Sequence, residues 1–128
     1  MKVSLSKPVM AITSLAAIML LSACGATQQQ TPFIGAEPEV GAVLTRAPRT
    51  LRLYYQELPD VPRSSLMLLG PGGNSLNLRG MHTMGANDLM IEINDQVPNG
   101  EYTVQWKTFV GDDPTEYEGS YTFSVQAN

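Results

Sequence analysis

Between residues 50 and 125, apolar side chains recur at every second position in five short segments. Successive side chains of a β-strand point to opposite faces, so a period of two predicts strands with one buried face. No segment after residue 35 has the apolar spacing of an amphipathic helix, and an all-β fold is therefore predicted. The alternating sets are Leu51/Leu53/Tyr55, Leu66/Leu68, Leu89/Ile91/Ile93, Tyr102/Val104/Trp106 and Tyr121/Phe123/Val125.

Turn-forming residues separate these segments. They occur as GPGGN at residues 70–74, QVPNG at 96–100 and GDDP at 111–114. Short alternating strands at this spacing predict an Ig-like antiparallel sandwich or a Greek-key barrel. Trp106 is the largest apolar side chain in the pattern, and we expect it to pack in the core.

The N-terminus has the features of a signal peptide. Two basic residues, Lys2 and Lys7, precede an apolar run from Val9 to Leu21. That run is too short for a spanning helix, so residues 1–23 are predicted to be removed. The motif LSAC, which ends at Cys24, resembles a bacterial lipobox and implies lipidation of Cys24. A free thiol in an ordinary secreted protein is the alternative.

Lipid chains on Cys24 would anchor the protein to a membrane. Gly25 follows the cysteine, where an aspartate would signal retention in the inner membrane, so the resemblance implies the outer membrane. Residues 24–35 are small and polar and predict a flexible tether. Residues 36–128 are then left as one domain.

Charge and composition exclude several functions. Without residues 1–23 the chain has six Lys and Arg against twelve Asp and Glu, a net charge of −6. Such a charge disfavours nucleic-acid binding, which depends on neutralising phosphates. One histidine and no free cysteine exclude the usual Ser/His/Asp and Cys/His catalytic arrangements. The sequence therefore indicates a protein that is not an enzyme.

Four segments, in order, resemble CopC-type copper-resistance domains over roughly residues 36–126. The resemblance implies a seven-stranded Ig-like β-barrel in the periplasm that binds copper, acts in copper tolerance or delivery and has no catalytic activity. The segments are EPEVGAVLTRAPRTLRLYYQE, LMLLGPGGNSLNL, VPNGEYTVQWKTF and GSYTFSV.

The residues that the resemblance would assign to Cu(II) are missing. The family's Cu(II) site uses a histidine at the mature N-terminus and a late Asp-x-His. Here the predicted N-terminus is Cys24, and the late loop FVGDDPTEYEG contains no histidine. We interpret its acidic residues as a solvated face, with a weak divalent-ion site or a basic partner as alternatives. These residues are Asp112, Asp113, Glu116 and Glu118.

A cluster of methionines provides the stronger metal candidate. Four methionines lie within 24 residues, and two of them flank the only histidine in the segment RGMHTMG. Thioether sulfur is a soft ligand that binds Cu(I), so the cluster predicts copper as Cu(I) rather than Cu(II). The candidate ligands are Met81, His82, Met84, Met90 and Met67. We expect Met81, His82 and Met84 to lie in a loop. Met90 and Met67 should lie on outward faces of strands.

The sequence is compatible with two alternative functions. In the first, a copper-binding lipoprotein sequesters Cu(I) or passes it to a copper transporter or another envelope protein. In the second, an Ig-like module has lost the family's copper sites and binds an envelope partner, with its methionines only filling apolar gaps. Convergence of the methionine and histidine side chains would favour the first function.

Overall fold

The structure, a computed structural model, describes residues 31–128 and confirms the all-β fold. The predicted signal peptide, the lipidation of Cys24 and most of the predicted tether lie outside the described residues. Within residues 31–128, no helix is long and apolar enough to cross a bilayer. The strands of this part are β1 (Phe33–Glu37), β2 (Val43–Leu44), β3 (Thr50–Tyr55), β4 (Ser65–Leu69), β5 (Ser75–Leu76), β6 (Leu78–His82), β7 (Asp88–Ile93), β8 (Gly100–Thr108) and β9 (Tyr117–Val125).

The strands form two sheets that pack face to face. One sheet has the order β1-β3-β7-β6, and the other has the order β2-β9-β8-β4-β5. All strand pairs are antiparallel except β2 with β9, which is parallel. Seven described strands have five or more residues, and β2 and β5 have two each. The result is the predicted sandwich with two short additions at the edges of one sheet.

The core lies between the inner faces of the two sheets and contains the alternating apolar residues. Of the five predicted sets, only Leu66 is half-buried rather than buried. The Tyr102 hydroxyl donates a hydrogen bond to the Pro98 carbonyl, four residues upstream. A tyrosine tied back to the preceding turn in this way is a hallmark of Ig-like sandwiches.

Trp106 packs in the core, as predicted. Its side chain is 4% exposed, stacks on Phe33 at 5.4 Å and meets Tyr55 edge-on at 5.7 Å between ring centroids. Gly119 lies opposite Trp106 on β9, and a Cβ atom at Gly119 would approach indole Cζ2 to 2.6 Å. The indole therefore occupies space that only a glycine on the neighbouring strand leaves open.

Residues 33–35, which the sequence analysis assigned to the tether, form the start of the first described strand. Strand β1 starts at Phe33 and pairs with β3. The Phe33 ring also stacks on Tyr121, with 5.8 Å between centroids. A single aromatic residue amid small and polar neighbours carries no period, so local sequence does not indicate this strand.

Candidate metal centre

A β-bulge shapes the edge strand that carries the histidine. Arg79 of β6 lies opposite Glu92 of β7, but His82 lies opposite Met90, so two residues of β6 face one residue of β7. Gly80, within the bulge, has φ of 71°. Glycine adopts this left-handed conformation without the steric cost that a Cβ atom adds.

The bulge determines which way His82 points. With regular pairing from Arg79 onward, His82 would lie opposite Leu89, whose side chain is buried in the core. The extra residue instead aligns His82 with Met90, and directly opposed residues of a sheet share a face. Their Cβ atoms are then about 4.5–5.5 Å apart. His82 and Met90 are therefore neighbours on the outer face of the four-stranded sheet.

This placement corrects the predicted position of two candidates. The sequence placed Met81 and His82 in a loop, whereas both belong to β6. The bulge at Gly80 interrupts the alternation by which the strand would have been recognised.

The imidazole of His82 is oriented by its own strand. Its Nδ1 lies 2.5 Å from the Gly80 carbonyl oxygen, which accepts the hydrogen bond. A neutral ring that donates from Nδ1 has its lone pair on Nε2. The side chain is exposed, so Nε2 is free to bind a metal. Metal-binding histidines commonly donate their second ring nitrogen to a backbone carbonyl in this way.

Met84 reaches the same region from the turn between β6 and β7. Its backbone N–H donates to the Asp88 carboxylate at 2.9 Å. Asp88 lies two residues before Met90 on β7 and so faces the same side of the sheet. The Met84 side chain is 58% exposed. His82 and Met90 thus share one face, and the backbone of Met84 lies against Asp88 on that face.

The structure does not bring Met81 or Met67 to this surface. Met81 is half-buried and packs against the hydrophobic core, on the other side of β6 from His82. Met67 is 46% exposed and lies opposite Gln105 on the outer face of the five-stranded sheet. The two packed sheets separate Met67 from Met90, since stacked sheets are about 10 Å apart.

A fully buried aspartate underlies the site. Asp88 Oδ2 accepts a 2.7 Å hydrogen bond from Arg52 Nε, and Oδ1 accepts one from Thr83 Oγ1 at 3.0 Å. Burial raises the pKa of Asp88, but the hydrogen bonds from Arg52, Met84 and Thr83 outweigh burial and hold that pKa below its usual range. The carboxylate is charged and its oxygens are occupied, so Asp88 is not a metal ligand here. The sequence did not single it out, although aspartate is depleted in strands.

Two of the four acidic residues of the late loop, Asp113 and Glu116, interact with the protein itself. Asp113 accepts hydrogen bonds from the Tyr117 hydroxyl at 2.6 Å and the Thr115 amide at 2.9 Å, which hold its pKa below the usual range. Glu116 lies 3.9 Å from Lys107 Nζ. Within residues 31–128, no group of three or more His, Cys, Asp or Glu side chains is arranged to hold a metal ion.

The fold matches that of a known protein family. The family model for the CopC domain matches residues 33–126. The chain belongs to this family. Solved structures similar to this CopC domain include CopC from Methylosinus trichosporium OB3b, with 19% sequence identity and a TM-score of 0.66. That match covers 76% of this chain and 94% of the other.

Two further similar structures are of PcoC, a methionine-rich copper resistance protein from Escherichia coli. One has 21% identity and a TM-score of 0.66, over 75% of this CopC domain chain and 98% of PcoC. The selenomethionine form of PcoC has 22% identity and a TM-score of 0.65. That match covers 73% of this chain and 98% of the PcoC chain. At these identities the likeness establishes the shared fold. No curated protein matches the chain.

Proposed function

We propose that this protein binds copper in copper resistance, carrying Cu(I) on His82, Met84 and Met90. The observation that carries this proposal is the pairing of His82 with Met90 on the outer face, with Nε2 of His82 free. Membership of the CopC family and the similarity to PcoC, a methionine-rich copper resistance protein, support copper as the metal.

The chemistry of the three ligands favours Cu(I). Thioethers are soft and neutral, and together with one imidazole they match the preference of Cu(I) for soft ligands. Thioethers also carry no proton, so binding does not require them to ionise. Because His82 and Met84 are exposed and Met90 is only half-buried, a partner's soft ligands can replace them one at a time. The protein would then sequester copper or hand it to a copper transporter or another envelope protein, without catalysis.

Titration with Cu(I) against a chromophoric chelator tests the site. The protein is the mature chain from residue 24 with Cys24→Ser, since a free thiol would itself bind Cu(I). We expect one equivalent to bind. A His82→Ala/Met84→Leu/Met90→Leu variant should lose about a hundredfold or more in affinity, since removing even a residue that only orients a ligand costs about 10- to 100-fold.

The matched control is Met67→Leu, which removes an exposed thioether from the opposite side of the sandwich. It should bind Cu(I) as the unsubstituted protein does. Equal losses in the control and the triple variant would show that the methionines act without a defined site. No binding by the unsubstituted protein would leave the interaction module as the function.

We further propose that the protein is a periplasmic lipoprotein of the outer membrane, anchored through Cys24. In cells given labelled palmitate, the full chain should incorporate label and sediment with outer membranes. Cys24→Ser should abolish both, because the acyl chains are attached at that residue. Equal labelling of the Cys24→Ser protein would contradict the anchor.

A further inference from the structure

We propose that Asp88 is the positioning residue of the copper site, a role that rests on the proposed function. Its carboxylate organises the turn between β6 and β7 and thereby fixes Met84 beside His82 and Met90. In this role Asp88 does not bind the metal. It holds the backbone of Met84, which is a proposed ligand.

The carboxylate is enclosed by donors from both sides. Arg52 Nε donates to Oδ2 at 2.7 Å. Three groups of the turn converge on Oδ1: Thr83 Oγ1 at 3.0 Å, the Met84 amide at 2.9 Å and the Ala86 amide at 3.4 Å. Asp88 has no exposed surface, so the turn and the Arg52 side chain together enclose the carboxylate. A charged acceptor strengthens each of these hydrogen bonds relative to a neutral one.

The turn has little else to hold it. The Gly85 amide donates to Thr83 Oγ1 at 3.1 Å, which extends the network that starts at Asp88. Gly85 and Asn87 have φ values of 83° and 50°. Within residues 31–128, Asn87 is where the turn is tied to the end of β3: its carbonyl accepts from the Tyr55 amide at 2.8 Å and its Nδ2 donates to the Gln56 carbonyl at 3.3 Å. Between His82 and Asn87, the path of the backbone therefore depends mainly on the Asp88 carboxylate.

Arg52 connects the Asp88 network to the ligand row, the proposed ligands His82, Met84 and Met90. It lies opposite Met90 on β3 and is 29% exposed, and its guanidinium also lies 5.0 Å from the centre of the Tyr54 ring. Its charge balances that of Asp88, so the buried carboxylate is stable without binding the metal. The ligand row then keeps a neutral set of donors, which suits Cu(I).

The direct test is Asp88→Asn in the Cys24→Ser protein. An asparagine has one acceptor oxygen and an NH2 group that cannot accept, so it cannot serve Arg52 and the turn together. We expect faster hydrogen exchange at the Met84 and Ala86 amides of the metal-free protein. We also expect Cu(I) affinity to fall by about 10- to 100-fold, the usual effect of removing a residue that orients a ligand.

Glu92→Gln is the matched control. Glu92 lies on the same strand and face and forms an exposed 2.9 Å ion pair with Arg79. Loss of this ion pair should change neither amide exchange at Met84 nor Cu(I) affinity. If Asp88→Asn does not fold, Thr83→Val is the second variant, because it removes a single donor to Oδ1. It should also speed amide exchange at Met84 and lower Cu(I) affinity, each by less than Asp88→Asn would.

A double-mutant cycle separates positioning from general destabilisation. In a Met84→Leu background, Asp88→Asn should cost no more than about twofold in Cu(I) affinity, because the ligand that it positions is already absent. An equal cost in both backgrounds would overturn the proposal. So would unchanged amide exchange in Asp88→Asn. If the unsubstituted protein binds no Cu(I), the copper function and the positioning role fail, while faster exchange at Met84 would still assign the turn to Asp88.

Discussion

Replacing Trp106 by alanine is expected to lower the free energy of unfolding by about 3–5 kcal/mol. The indole is 4% exposed and lies between the rings of Phe33 and Tyr55. Its removal leaves a cavity between two sheets that β-ladders hold in place, so the surrounding structure cannot collapse into the space. Domains of this size are stable by about 5–15 kcal/mol, and the variant should lose a large share of that.

Urea denaturation monitored by circular dichroism measures this loss. Met67→Ala is the control, because Met67 lies on the same sheet but on its outer face and is 46% exposed. Its cost should be about 0.5 kcal/mol, as for most surface substitutions. A similar cost for the two variants would mean that the indole is not an integral part of the core.

Much of the fold could be predicted because a period of two identifies strands with one buried face. β3, β4, β7, β8 and β9 correspond to the five alternating segments. β2 and β5 have only two residues each, too few to show a period. Their pairing with β9 and β4 depends on neighbours that local sequence does not reveal.

The site was only partly predictable, for a geometric reason. The sequence identified His82 and the methionines by their chemistry, and it placed Met67 and Met90 on outward faces, where the structure finds them. Alternation does not reveal which sheet a strand joins, and Met67 proved to lie on the other one. The orientation of His82 depends on a single inserted residue, since a one-residue slip exchanges the two faces of a strand.

The proposed ligand set, His82, Met84 and Met90, also predicts which metals the protein rejects. We expect saturable binding of Cu(I) and none of Zn(II) or Cu(II). Thioethers bind Zn(II) weakly, and one imidazole is a poor site for Cu(II). Residues 31–128 offer no group of three His, Cys, Asp or Glu side chains as an alternative, and the Asp88 oxygens are already hydrogen-bonded. Titrations of the Cys24→Ser protein with each ion, under reducing conditions only for Cu(I), measure this selectivity.

The variant Met84→His should shift the selectivity of the site from Cu(I) towards Cu(II). It replaces a soft ligand beside His82 with a second imidazole, so Cu(II) binding should appear while Cu(I) binding weakens. A variant that still rejects Cu(II) would indicate that residues 82 and 84 do not converge on one point. Tight Cu(II) binding by the unsubstituted protein would contradict the proposed Cu(I) site. Two thioethers and one imidazole are too soft a ligand set to hold Cu(II) tightly. Selectivity therefore tests the geometry and the chemistry of the site together.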